Sequence, residues 1–424
     1  MKKFLFIIFI LYLNSCNSQI DENLTKESSG KAYLKEIFND CPKADIVEIV
    51  EEEDMVEVEY LCDGQRYEAG ISDGKLLYKE TAAEHSTIPF DKIQRKLEKK
   101  FPGWKLDEIS LVTAFDTSFL KVEIIKEGFE QNVYFTSEGK WFKAKTFAAA
   151  ESWTEGNLKA IAAFRGADYN FLHPDETYEM PDLLNEISGI AAVDKNTLMC
   201  VQDELGAVIE YHLGNEEIKN VYRFTDVGDF EDIAINNSRL YVLRSDGNVF
   251  DFDYKIKRIH PEQKMLSVSS LNIEGMFYNN KDGFLYLANK ESNVGTDESK
   301  RDIFRYKEQA WEEPEKFLEV DVKQVNEFFA KKYPGLAAKE VAFNPSAIAI
   351  HPITEEFYIL SSINRMLAVF GNKKLKNIYP LPANLYFKPE GLTFFDNGDL
   401  LIASEGDKKG LVKGYVMYFK YQKK

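Results

Sequence analysis

The stretch KPEGLTFFDNGDLLIASEG, residues 388–406, decides the architecture. An acid, Glu390, precedes a short apolar run. The turn Asp396–Asp399 follows, and a second apolar run ends in another acid, Glu405. Two strands joined by a glycine-containing turn are the direct reading. Four other segments share the pattern: NEISGIAAVDKNTLMCVQDE from Asn185, DFEDIAINNSRLYVLRSDG from Asp229, NIEGMFYNNKDGFLYLANKE from Asn272 and NPSAIAIHPITEEFYILSS from Asn344. Their leading positions, Glu186, Glu231, Glu274, Ser346 and Glu390, lie 45, 43, 72 and 44 residues apart.

A period near 44 with two visible strands per copy predicts a β-propeller of five blades. Third strands read AVIEYHL, NVFDFDY, DIFRYKE, RMLAVFG and GYVMYFK; fourth strands read NVYRFT, KMLSVS, KFLEVDV and NIYPLP. The fifth copy has no fourth strand. ETYEMPDLL, ahead of Glu186, fills the equivalent slot, so an N-terminal strand is expected to complete the last blade and remove the free edges. The long spacing before Ser346 predicts a helical insertion over residues 319–342.

In a blade the first strand lines the channel, and its start opens on the same face as the end of the second. Glu186, Glu231, Glu274 and Glu390 are therefore expected around one mouth. Asp203, Asp246, Glu291 and Glu405 are expected further out on that face. Confined carboxylates repel by about 4 kcal/mol per pair at 4 Å and an effective dielectric of 20. Protonation or a hard, oxygen-liganded cation relieves this, and calcium is the expected ion. Ser346 leaves the ring open on one side. A purely structural role, acids capping strands and binding water, is the alternative.

The starts NEISGIA, DFEDIA, NIEGM and KPEGLTFFDNGDLLIASEG resemble the SdiA-regulated family, distantly related to NHL-repeat propellers. The resemblance covers about residues 175–421 and implies a five-bladed propeller with bound calcium and no established reaction. Asp232 stands where the pattern usually has Gly, and Ser346 is the second departure. Distant calcium propellers hydrolyse phosphoesters or lactones, which is the alternative function. The five histidines are not placed for acid–base work there.

Residues 31–146 read as two copies of a helix followed by an antiparallel meander, with helices ending at Pro42 and Pro102. KKFPGWKLDEI resembles PepSY-like, beta-lactamase-inhibitor-like exported domains, which implies a binding or inhibitory module of α+β class. Expected domains are 31–150 for this unit, 151–174 for a linker and 175–424 for the propeller.

The chain opens MKKFLFIIFILYLNSC: two lysines, an apolar run too short to span a bilayer comfortably, then LNSC. LNSC resembles the lipobox of bacterial lipoproteins. That implies a signal peptide over 1–15, acylation of Cys16 and a polar tether over 16–30. The expected location is the cell envelope, anchored to the outer membrane. Export permits disulfides. Cys41 and Cys62 share one small unit, their pairing left open by the sequence, and Cys200 reads as a core residue. With 53 Lys and Arg against 70 Asp and Glu, the net charge is −17. No basic stripe for nucleic acid stands out. A monomer is expected, with a cell-envelope protein or a small ligand as partner.

Overall fold

Continuous apolar runs, buried on both faces, make each repeat's inner strands, and hydrogen-bond register makes them blades. The computed structural model describes residues 32–51, 56–72, 74–84, 86–114, 117–126, 129–142, 167–256, 260–266, 272–292, 297–307, 310, 314–333, 342–382, 385–407 and 412–422. The signal peptide, Cys16, the tether and residues 151–166 of the expected linker lie outside them. No helix among the described residues is long and apolar enough to cross a membrane.

Five antiparallel four-stranded sheets form the propeller. Blades one to four take consecutive strands, starting at Ile187–Asp194, Phe230–Asn236, Ile273–Asn279 and Pro345–Ile350. Blade five joins Lys388–Phe394, Leu400–Glu405 and Tyr415–Phe419 to Glu176–Glu179. The last pairing, Tyr415 opposite Glu179 and Tyr418 opposite Glu176, is the expected ring closure. Asn185 pins it. Its side chain accepts from Gly414 N (3.0 Å) and donates to Asp407 O (2.6 Å), and its carbonyl accepts from Gly406 N (2.7 Å). A Cβ on Gly406 would meet Val412 O at 2.3 Å, so no larger residue fits that seam without displacement.

Blade faces pack as apolar layers, such as Leu184, Ile190 and Cys200 against Leu401, Ala403 and Val416 at the seam. Burying such side chains contributes about 1.5–3 kcal/mol each. Cys200 is fully buried, as its apolar strand predicts. Residues 167–174, placed in the linker by sequence, belong instead to the propeller. Ala167, Tyr169 and Phe171 join its core, and Tyr169 Oη donates to Gly398 O at 2.6 Å. Aromatic content in a polar context hid them. The helical insertion is Val322–Lys332, capped by Asp321 accepting from Lys323 N and Gln324 N; Val325 and Phe329 are its buried face.

By contacts, the chain divides into residues up to Ala82 with Val112–Thr117, and Ala83–Leu111 with Ser118–Lys424. In the first unit the helix Ala32–Asp40 buries Leu34 and Ile37 with Val58, Tyr60 and Ala69. Cys41 and Cys62 are disulfide-bonded there. In the second, the helix Phe90–Lys100 buries Ile93 and Leu97 against Val122, Ile124 and Phe135. In the first unit, Asp45–Glu51, Val56–Cys62, Gln65–Ser72 and Lys75–Ala82 pair antiparallel in chain order. In the second, Thr117–Lys126 pairs antiparallel with Phe129–Phe135.

Candidate metal centre at the blade seam

One irregularity recurs in every blade. Each innermost strand carries a β-bulge at its start, and the extra residue is Ser188, Glu231, Glu274, Ser346 or Glu390. A bulge re-aims a side chain out of the ladder. These five residues are structurally equivalent, which corrects the register of blade one: its bulge residue is Ser188, not Glu186. Ser188 Oγ donates to Phe230 O (2.7 Å) and Ser346 Oγ to Pro389 O (3.2 Å), each reaching the residue before the next blade's bulged glutamate. The mouth thus holds three bulge glutamates and two serines.

Glu186 belongs to a second tier, two residues earlier. Pairing continues there as Lys388 opposite Glu405, and Asp203 N donates to Glu186 O at 3.3 Å in the equivalent place. The tier reads Glu186, Asp229, Asn272, Asn344 and Lys388 on first strands. It reads Asp203, Ser245, Lys290 and Ser362 just past second strands, and Glu405 as the last residue of the fifth. Acids concentrate where blade five meets blade one. Glu186, Asp203 and Glu405 each bring a carboxylate oxygen within 4.8 Å of the others, and Glu405 is only 3% exposed.

Two lysines that the sequence reading passed over stand among the acids. Lys388 Nζ lies 2.9 Å from Glu405 and 3.4 Å from Glu390. Lys290 Nζ lies 2.5 Å from Glu274. Both flank the motifs, in KPEG and ANKE, and were legible as internal counter-ions. Burial, then Glu186 and Glu204, push the Asp203 carboxyl well above the carboxylate range. Burial, then Glu390, do the same to Glu405, against the pull of Lys388. Glu231 is raised by burial, then by Glu274, Asp229 and Glu390, with Lys290 opposing. Burial alone would lower the Lys388 ammonium, but Glu390 and Glu405 outweigh it and hold it well above the usual lysine value.

Three other acids stand apart from the cluster. Asp246 sits two residues past the second strand and pairs with Arg244 at 2.7 Å, which holds its carboxyl down to about 2. Glu291 is likewise two residues past its strand, exposed, and outside the cluster. Asp232, standing for the usual glycine, is 2% exposed and faces its neighbours' main chain. It accepts from Ile233 N (2.8 Å) and Met276 N (2.7 Å), bridging blades two and three. Glycine elsewhere serves close approach: a Cβ on Gly391 would lie 2.8 Å from Ala403 Cβ and 3.0 Å from Ile190.

The donor set fits a hard divalent ion. Two oxygens bound at 2.3–2.6 Å lie at most about 5 Å apart, which the 4.8 Å cluster satisfies. The described histidines are elsewhere. His173, His212, His260 and His351 lie at strand ends or connections at the opposite end of the propeller. His351 is fully buried, its Nδ1 accepting from Ile353 N and Thr354 N, and burial lowers it to about 4.

No family model matches the sequence, and no curated protein matches it significantly. Among solved structures, the chain is similar to Myxococcus xanthus glutaminyl cyclase at 13% identity and a TM-score of 0.40, over 58% of this chain and 95% of that one. It is similar to a streptogramin B lyase at 12% identity and a TM-score of 0.32, over 88% and 93%. A BLIP-like protein from Bacteroides fragilis NCTC 9343 matches 28% of this chain and 90% of its own, at 16% identity and a TM-score of 0.23.

Proposed function

We propose that this chain is a lipid-anchored cell-envelope binding protein whose propeller takes a calcium ion at the seam of blades five and one. The convergence of Glu186, Asp203 and Glu405 carries the reading. Glu390 flanks that corner, while Glu231 and Glu274 form a second acidic corner already served by Lys290. Bound calcium would supply a fixed positive charge that lets the three seam acids ionise together, and would order the face that receives a ligand or protein partner. Cys16 would carry the acyl groups that hold the chain on the outer membrane. The finer assignments, an SdiA-regulated propeller and a PepSY-like unit of two helix-plus-meander repeats over residues 31–150, rest on the quoted motifs. Four strands after the first helix, and three plus a bridge at Trp141 after the second, support the repeat.

The hydrolase alternative gains no support from the geometry, since no described histidine stands at this mouth. The test is calorimetric titration of calcium into wild type, Glu186→Gln and Glu405→Gln. Binding in wild type alone is expected, and equal heats in all three would move the site elsewhere.

A further inference from the structure

In a chain of net charge −17, the helix Phe90–Lys100 gathers Lys92, Arg95, Lys96, Lys99 and Lys100. At 100° per residue all five fall within an arc of about 140°, beside the arc that buries Ile93 and Leu97. Asp91, Gln94 and Glu98 occupy the remainder. Among the described residues, none of the five cations forms an ion pair with a carboxylate. Lys92 and Arg95 donate to main-chain carbonyls instead, those of Glu138 and Asp91. At the mouth, by contrast, lysines are matched to acids.

Trp141 stands at the rim of this face. It is 39% exposed, backed by Phe135 at 4.4 Å and by the edge of Phe101 at 6.2 Å. Lys100 Nζ lies 4.6 Å and Lys96 Nζ 5.9 Å from its ring. A tryptophan held by aromatics and flanked by two lysines that make no ion pair among the described residues, Lys100 feeling only the more distant Asp182, matches an interface where phosphates overlie hydrocarbon.

The geometry points to this face as a docking surface for the anionic headgroups of a lipid bilayer. The lysines take the phosphates, and Trp141 enters the interfacial layer. A second copy docking through the same face would bring the same cations against it. Bases could stack on Trp141 as well; the lipid anchor of the proposed function, on which this choice rests, is what sets headgroups beside the face.

The test is co-sedimentation of the chain from Asn17, which keeps every described residue, in chelator to prevent calcium bridging. Vesicles are phosphatidylcholine alone, or phosphatidylcholine and phosphatidylglycerol in equal parts. Expected is binding to the anionic vesicles only, weakening with salt, with a blue shift of tryptophan emission that Trp141→Phe removes. The triple variant Lys96→Gln, Lys99→Gln, Lys100→Gln should partition roughly a hundredfold less, from about fivefold per lysine near an anionic surface. Its unchanged thermal unfolding would show that the fold is kept. Absence of binding to anionic vesicles, equal binding to neutral ones, or full binding by the triple variant would each overturn the proposal. So would capture by heparin without capture by vesicles, which would assign the face to a soluble polyanion.

Discussion

Replacing Lys388 by methionine separates an ion site from a self-neutralised cluster. The ammonium lies 2.9 Å from Glu405, whose carboxylate is 3% exposed, and 3.4 Å from Glu390. Removing one partner of a buried pair costs about 3–5 kcal/mol, and the third of the Lys388 side chain open to water softens this to about 1–2 kcal/mol. For a unit of propeller size each kcal/mol moves the melting temperature by about 2–4 °C, so the chelated variant should melt roughly 2–8 °C below wild type. Calcium a hundredfold above its Kd restores about 2.7 kcal/mol, enough to cancel the loss. Without a competing ammonium, calcium affinity should rise at least about tenfold, which is 1.4 kcal/mol. Differential scanning calorimetry with calcium and with chelator reads the first quantity, and titration calorimetry the second. A variant that stays destabilised in calcium would refute the reasoning, leaving lysines and protons as the sole counter-charges.

The chelated protein should lose stability as pH rises from about 4 towards neutrality. Asp203, Glu231 and Glu405 have folded pKa values above their unfolded ones, so the native state holds more protons in that window. Calcium should flatten the slope for the seam acids, as melting curves across pH would show. Gly391→Val should destabilise by about 1–3 kcal/mol through overpacking against Ala403 and Ile190, and a wild-type urea midpoint would contradict the inter-strand contact. Cys41→Ala with Cys62→Ala opens a cross-link of separation 21 and should cost about 3 kcal/mol within the first unit. Proteolysis of residues 32–82 should accelerate while the propeller transition stays put.

Blade number, ring closure and the inserted helix were legible because each strand's apolar run and each turn repeat at a near-constant interval. The register of blade one was not. Glu186 mimics the Glu-before-apolar pattern, but hydrogen bonding places the extra residue at Ser188, and a two-residue offset leaves no trace in hydropathy. The acidic mouth was legible as a ring. That it splits into two corners follows from Lys290 and Lys388, whose effect depends on which blades stand side by side. Asp232 read only as a departure from the usual glycine, because main-chain donors such as Met276 N are invisible in a sequence. Tyr169 and Phe171 were lost to the linker for want of a repeat partner.

Closure by an N-terminal strand also sets an order of events. Asn185 and Gly414 hydrogen-bond across 229 residues of sequence, and Glu176–Glu179 waits for Tyr415–Phe419 before it gains a neighbour. Synthesis runs from the N-terminus, so the first strand of the propeller to be made is the last to be paired. Until then two blade edges stand open as templates for any extended chain nearby. Contacts this distant form slowly, since their loop must close before any bond rewards it. The seam carrying Glu186, Asp203 and Glu405 is assembled only in that final step, so competence to hold an ion there reports that the whole ring has been finished.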